Sequence, residues 1–153
     1  MIFRRRGKHS KGFTLVEVIV VVAIIAVLAT IASVSAISIS KSSEKKAAST
    51  ALSTYWNKSS EALRAINLRI VSTTQPSSTF IGTYLGKDPS TITVNKAACT
   101  AFGTKTEVYI QYSEDKTSAK NRYTVQKIWL RYKGHIYSTT DGTECKGPTD
   151  TPE

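Results

Sequence analysis

Few side chains in the 153-residue sequence combine reactive chemistry with an unusual setting. Glu17 is the first, because residues 13–32 otherwise form an uncharged apolar run. At 1.5 Å rise per residue those 20 residues span about 30 Å, the thickness of a bilayer's hydrocarbon core. A carboxylate in such a run is expensive unless it has a task or a partner, so Glu17 is a candidate functional residue by default. Cys99 and Cys145 are the only cysteines, and His9 and His135 the only histidines. The sequence has no Cys-x-x-Cys, no paired-histidine metal spacing and no phosphate-cradling glycine loop. It therefore reads as a non-enzyme with no catalytic residue, metal or cofactor. His135, beside a turn signal, reads as surface structure.

The elements that must position Glu17 begin with a basic cluster. Arg4, Arg5, Arg6, Lys8 and Lys11 precede the apolar run, and under the positive-inside tendency they stay cytoplasmic while the chain after Ala32 is exported. Half of the formal charge of +10 comes from this cluster. Beyond Gly12 there are 16 Lys and Arg against 11 Asp and Glu, and from Ser72 onward ten against eight, so the outer part is nearly balanced. Val34-Ser35-Ala36 matches a signal-peptidase site, but the apolar run is longer than a secretory signal's and carries an acid.

A basic leader ending in Gly12, then Phe13-Thr14-Leu15-Val16-Glu17 and a long aliphatic run, resembles the N-terminus of type IV pilins and of the pseudopilins of type II secretion and competence systems. The resemblance covers about residues 7–36. It implies that a prepilin peptidase cuts between Gly12 and Phe13, that the new Phe13 amine is N-methylated, and that Glu17 serves assembly on an inner-membrane platform. It also implies a pilin-like α+β fold: a long N-terminal helix, its first half transmembrane and later filament core, with a C-terminal antiparallel β head. A physical reason for the acid stands beside it: packed among apolar helices, a lone carboxylate needs a cation, and cleavage creates one in the Phe13 amine of a neighbouring subunit. Many relatives carry a Gly in the run and a Pro about eight residues later; here Ala26 and Val34 stand at those places.

Four segments follow: a removable leader at 1–12, a core helix at 13–36, an amphipathic helix at 37–71 and a head at 72–153. Six serines between 33 and 43 make the weakest helical stretch. Ala48, Leu52, Tyr55, Ser59, Ala62, Leu63 and Ile66 recur at three- and four-residue steps and form one stripe for docking a sheet. The reading favours one helix of more than fifty residues over two helices broken at the serines. Pro76 and its small polar neighbours end the helix. Residues 79–85, 91–94, 107–112, 122–132 and 135–139 read as strands, with turns at Lys133-Gly134 and Asp141-Gly142, giving an antiparallel sheet of three or four strands. Residues 149–153 read as frayed.

With the head exported, Cys99 and Cys145 are expected to bridge, closing a long loop for about 4 kcal/mol in the chain-entropy model. Asp141, Glu144 and Asp150 resemble the calcium loop of some pseudopilins, although turn chemistry explains them more simply. Asn57-Lys58-Ser59 is a formal glycosylation sequon on a helix. Two functions follow. In the first, the chain is a structural pilin, membrane-inserted with a cytoplasmic N-terminus and then polymerised with its own copies and other pilins into a cell-surface filament. In the second it is a minor pilin or pseudopilin, acting in type II secretion, surface adhesion or DNA uptake, with Lys116, Lys120, Arg122, Lys127, Arg131 and Lys133 interleaved by Tyr123, Trp129 and Tyr132. Strict strand alternation puts Tyr123, Val125, Lys127, Trp129 and Arg131 on one face, dividing those cations between two faces.

Overall fold

A computed structural model describes residues 12–118, 120 and 122–152, with the side chains of residues 31–37 outside the described set. The expected leader, residues 1–12, lies outside it except for Gly12. The architecture is α+β: a long helix, a short helix and a five-stranded, mostly antiparallel sheet. Two compact units divide the chain at Lys41 and Ser42. Helix α1 (Leu15–Asn67) is continuous through the serine-rich stretch, as the one-helix reading expected. Among the described residues no helix is long and apolar enough to cross a membrane; the last residues of the expected span fall where side chains are not described.

Within the second unit the apolar stripe of α1 docks as its spacing requires. Ala48, Leu52, Ala62, Leu63 and Ile66 are buried against Ile81 and Leu85 of the second helix and against Ile92, Val108, Ile110, Ile128 and Leu130 of the sheet. Thr50 and Thr54 donate their hydroxyls to the carbonyls of Lys46 and Thr50, so those polar groups remain satisfied without leaving the helix. The helix ends in a Schellman turn: Ile70 N–H donates to the Ala65 carbonyl and Arg69 N–H to that of Ile66, with Arg69 at φ 53 where glycine is usual. Asn67 then acts as a surrogate strand, its amide donating to the Tyr123 carbonyl and accepting from the Tyr123 N–H, both at 2.9 Å.

Residues 79–85, expected as a strand, are helical. Helix α2 (Ser78–Leu85) is capped by the Ser77 hydroxyl, which accepts from Phe80 N–H, and closes on Gly86 in the left-handed conformation. Cap chemistry at both ends outweighs the β propensity of Thr79, Phe80, Ile81 and Tyr84. The sheet follows in chain order as β1 (Ile92–Asn95), β2 (Val108–Glu114), β3 (Tyr123–Tyr132), β4 (His135–Thr139) and β5 (Lys146–Thr149). It departs from expectation in two ways: β1 pairs parallel to β2, and residues 146–149 form a fifth strand.

A bulge corrects the predicted alternation on β3. Gln111 pairs with Lys127 and Tyr112 with Val125, leaving Gln126 as an extra residue, so the side-chain phase flips there. Tyr123 and Val125 before the bulge, and Ile128, Leu130 and Tyr132 after it, all meet the helix-side core. Trp129 instead joins Cys99, Tyr109 and Ile136 in a second cluster on the other face, under the loop carrying Phe102.

Candidate processing and assembly site

The N-terminal site is built from local chain chemistry. Thr14 stands just before the first helical residue, Leu15. Its backbone N–H donates to Glu17 Oε2 at 2.8 Å, its hydroxyl donates to the same oxygen at 2.9 Å, and Glu17 N–H donates back to Thr14 Oγ1 at 3.3 Å. This is a reciprocal capping box, which satisfies donors that a helix start leaves orphaned. The Thr-x-x-Glu spacing was readable in the sequence, but the acid's apolar setting drew the reading toward a distant partner. Phe13 is 86% exposed, and a Cβ placed on Gly12 would meet no atom within 4 Å. Among the described residues no crowding demands glycine at that position. Downstream, the Val, Ile and Leu side chains from Val18 to Leu28 are each at least half exposed, a surface far more apolar than water-facing helices carry.

The residues of the proposed nucleic-acid strip are brought together only in part. Lys116, Lys120 and Arg122 line a groove of about 870 Å³ with Arg69. Lys127 lies with its ammonium 4.8 Å from the Trp129 ring on the face away from α1, and Arg131 donates to the Gly103 carbonyl at 2.8 Å. Lys133 sits in the two-residue β3–β4 turn and pairs with Glu44 at 3.1 Å, which pushes its ammonium pKa up. The expected aromatic platform is corrected too: Trp129 and Tyr123 are 2% and 3% exposed, so neither ring offers a stacking face. Beside the groove Glu114 accepts from Lys96 and, at 3.1 and 2.8 Å, from Nε and Nη2 of Arg122. Those hydrogen bonds hold its carboxyl at about 2, well below the usual range.

The Cys99–Cys145 bridge is also corrected, because both residues are free thiols. Cys99 is buried in the outer cluster with Tyr109 and Trp129, whereas Cys145 packs against the helix-side core. The sheet lies between those clusters. Burial pushes both thiols above their ordinary pKa. Asp141 serves its turn: its carboxylate accepts from the N–H groups of Thr143 and Glu144 and from the Thr143 hydroxyl, which lower its pKa. Among the described residues no acidic, histidine or cysteine group is arranged to hold a metal. His135 Nδ1 lies 3.6 Å from Asp150 Oδ1 on the surface. Ser59 of the sequon is wholly buried, so the folded helix withholds it from a glycosylating enzyme.

The chain thus joins an aliphatic helix start with an acid in its first turn to a small α+β unit. Residues 7–33 match the prokaryotic N-terminal methylation motif, which supports the type IV pilin and pseudopilin family for this chain. No curated protein and no solved structure matches it.

Proposed function

We propose that the chain is a structural pilin subunit. A prepilin peptidase removes residues 1–12, Phe13 becomes the methylated N-terminus, and residues 13–36 hold the subunit in the membrane before packing as filament core. Residues 37–71 carry the head, 72–153, to the outer surface, among copies of the same chain and other pilins. The observation that carries this reading is the exposed aliphatic surface from Leu15 to Leu28 beside an acid, joined to the methylation motif. Such a surface needs lipid or other helices around it.

Glu17 has a partner at each stage. In the single chain it is occupied by Thr14. In the filament the Phe13 ammonium of a neighbour competes for the same oxygens, and a charge-assisted bond is the stronger one. The test is made in the native cell with three variants, scoring processing by intact mass and assembly by sheared-filament yield. Glu17→Gln keeps a capping residue but removes the charge, Glu17→Val removes both, and Thr14→Val removes the cap alone. Expected are normal cleavage at Gly12 for all three, near-normal filaments for Thr14→Val, and sharply reduced filament yield for both Glu17 variants. Wild-type filament levels from Glu17→Gln would refute the charge pair.

A further inference from the structure

We infer that the end of the head at which α1 enters it docks on anionic lipid headgroups of the membrane that holds the chain's own anchor. The inference rests on the proposed anchor at residues 13–36. Helix α1 and β3 lie against each other in opposite directions: Asn67 pairs with Tyr123 at one end, and Glu44 with Lys133 at the other. From Glu44 to Asn67 the helix rises about 34 Å, and from Tyr123 to Lys133 the strand runs about 33 Å, so the β3–β4 turn stands level with Glu44. The turn after Gly103 reaches the same end, because Arg131, two residues before Lys133, donates to the Gly103 carbonyl at 2.8 Å. Lys105 is exposed in that turn.

The charges at this end do not cancel. Glu44 is paired with Lys133, Glu107 with Lys87 at 2.7 Å, and Asp150 lies 3.6 Å from His135. Asp141 and Glu144 belong to a turn whose Gly142 packs on Trp56, about 18 Å further along α1. Lys45, Lys46 and Lys105 are exposed and, among the described residues, none of them is ion-paired. Lys41, Lys45 and Lys46 also follow the apolar run on its expected outer side, against the bias that keeps cations inside. At 1.5 Å per residue Lys41 stands about 42 Å beyond Phe13, which is about 12 Å past the hydrocarbon core and about 5 Å past the headgroups. The second compact unit begins at the next residue. Lys45 and Lys46 follow one turn later, and helical side chains slant toward the N-terminus, here toward the lipid. Their charges come within about one Debye length of the headgroups, where each lysine is attracted to an anionic surface. A membrane fits better than an acidic protein, because these lysines ring the point at which the chain leaves its own bilayer.

The test places the full-length protein in lipid nanodiscs, either neutral phosphatidylcholine or the same lipid with about 30% phosphatidylglycerol. A short pulse of an acylating ester labels the lysines, and mass spectrometry reads each one. At about 50 mM salt Lys45, Lys46 and Lys105 should label about fivefold more slowly in the anionic discs, the factor that about 1 kcal/mol of surface attraction per lysine gives. Lys58 and Lys116, away from that end, should label equally in both, and about 1 M salt should abolish the difference. Lys105 decides the matter, because it is remote in sequence from the anchor and comes near lipid only if the whole end docks. Lys45→Gln with Lys46→Gln should restore its labelling, whereas the charge-matched Lys58→Gln with Lys116→Gln should leave it protected. The five leader cations are common to all forms and cancel in the comparison. Equal labelling of Lys105 in the two discs, or protection that survives Lys45→Gln with Lys46→Gln, overturns the docking alone. A chain that does not co-elute even with neutral discs overturns the anchor and the docking together.

Discussion

Ser59 sits at the centre of the helix–sheet joint, and replacing it by alanine should stabilise the head. It is 0% exposed on the docking stripe of α1, and its hydroxyl has no hydrogen-bond partner among the described residues. Thr50 and Thr54, on the exposed side of the same helix, bond back to its carbonyls, a bond that the Ser59 hydroxyl does not make. An unsatisfied buried hydroxyl costs about 1–3 kcal/mol, and alanine also has the better helix propensity. Against this stands the lost packing of one small atom. A net gain of about 1 kcal/mol is expected, which for a unit of this size raises the melting temperature by about 4 °C. Thermal denaturation of wild type and Ser59→Ala, followed by circular dichroism in the same detergent, measures it directly. A lower melting temperature for Ser59→Ala would show that the hydroxyl is in use, and the reasoning would fail. Ser59→Val, which adds bulk at a position already fully enclosed, should destabilise and confirms that the site is packed.

Two other predictions test the head. Without reductant, iodoacetamide should modify half-buried Cys145 before buried Cys99, and both after unfolding; thiols that resist alkylation even in denaturant would restore the disulfide. Glu114 has its folded pKa lowered to about 2, so its contribution is complete above the ordinary carboxylate value near 4.5 and disappears as pH falls from there toward 2. The melting temperature of wild type should therefore fall more steeply across that window than that of Glu114→Gln, and parallel curves would remove the Lys96–Glu114–Arg122 cluster from the stability argument.

What the sequence disclosed follows from where its physics is local. The stripe from Ala48 to Ile66 was readable because a helix repeats every 3.6 residues and one side had to be dry. The Gly12, Phe13 and Glu17 grouping was readable because its residue types and spacing are rare together. Residues 79–85 were misread because β-branched and aromatic residues fill a helix whose real signals were Ser77 before it and Gly86 after it. The end of α1 carries no glycine, since Arg69 takes the glycine position, and nothing in the pattern marks it. The Gln126 bulge was invisible for another reason: it depends on the β2 partner, and one extra residue reverses the face of everything beyond it. The groove inherits that difficulty, because Arg69 and Lys116 lie far apart in the chain and meet where Asn67 at the end of α1 docks on β3. The disulfide expectation failed likewise, since counting cysteines cannot show that a sheet stands between them.

The capping box changes how an acid in an apolar helix is to be understood. A carboxylate is disfavoured there because hydrocarbon leaves it unsolvated, yet at the helix start backbone N–H groups lack partners for the opposite reason. Glu17 and Thr14 meet both deficits with one geometry, so before assembly the acid need not be carried as an unpaired charge. Phe13 immediately precedes Thr14, so cleavage after Gly12 would place a new ammonium beside that geometry without rebuilding the helix. The leader's removal would thus convert a satisfied local cap into half of an intermolecular pair, making the helix start competent for assembly only in processed chains. Under the proposed function, position rather than tolerance of charge would be the reason the acid lies four residues after Phe13: three residues from its capping partner, and on the first turn, where the N-terminus of a neighbour would have to reach it.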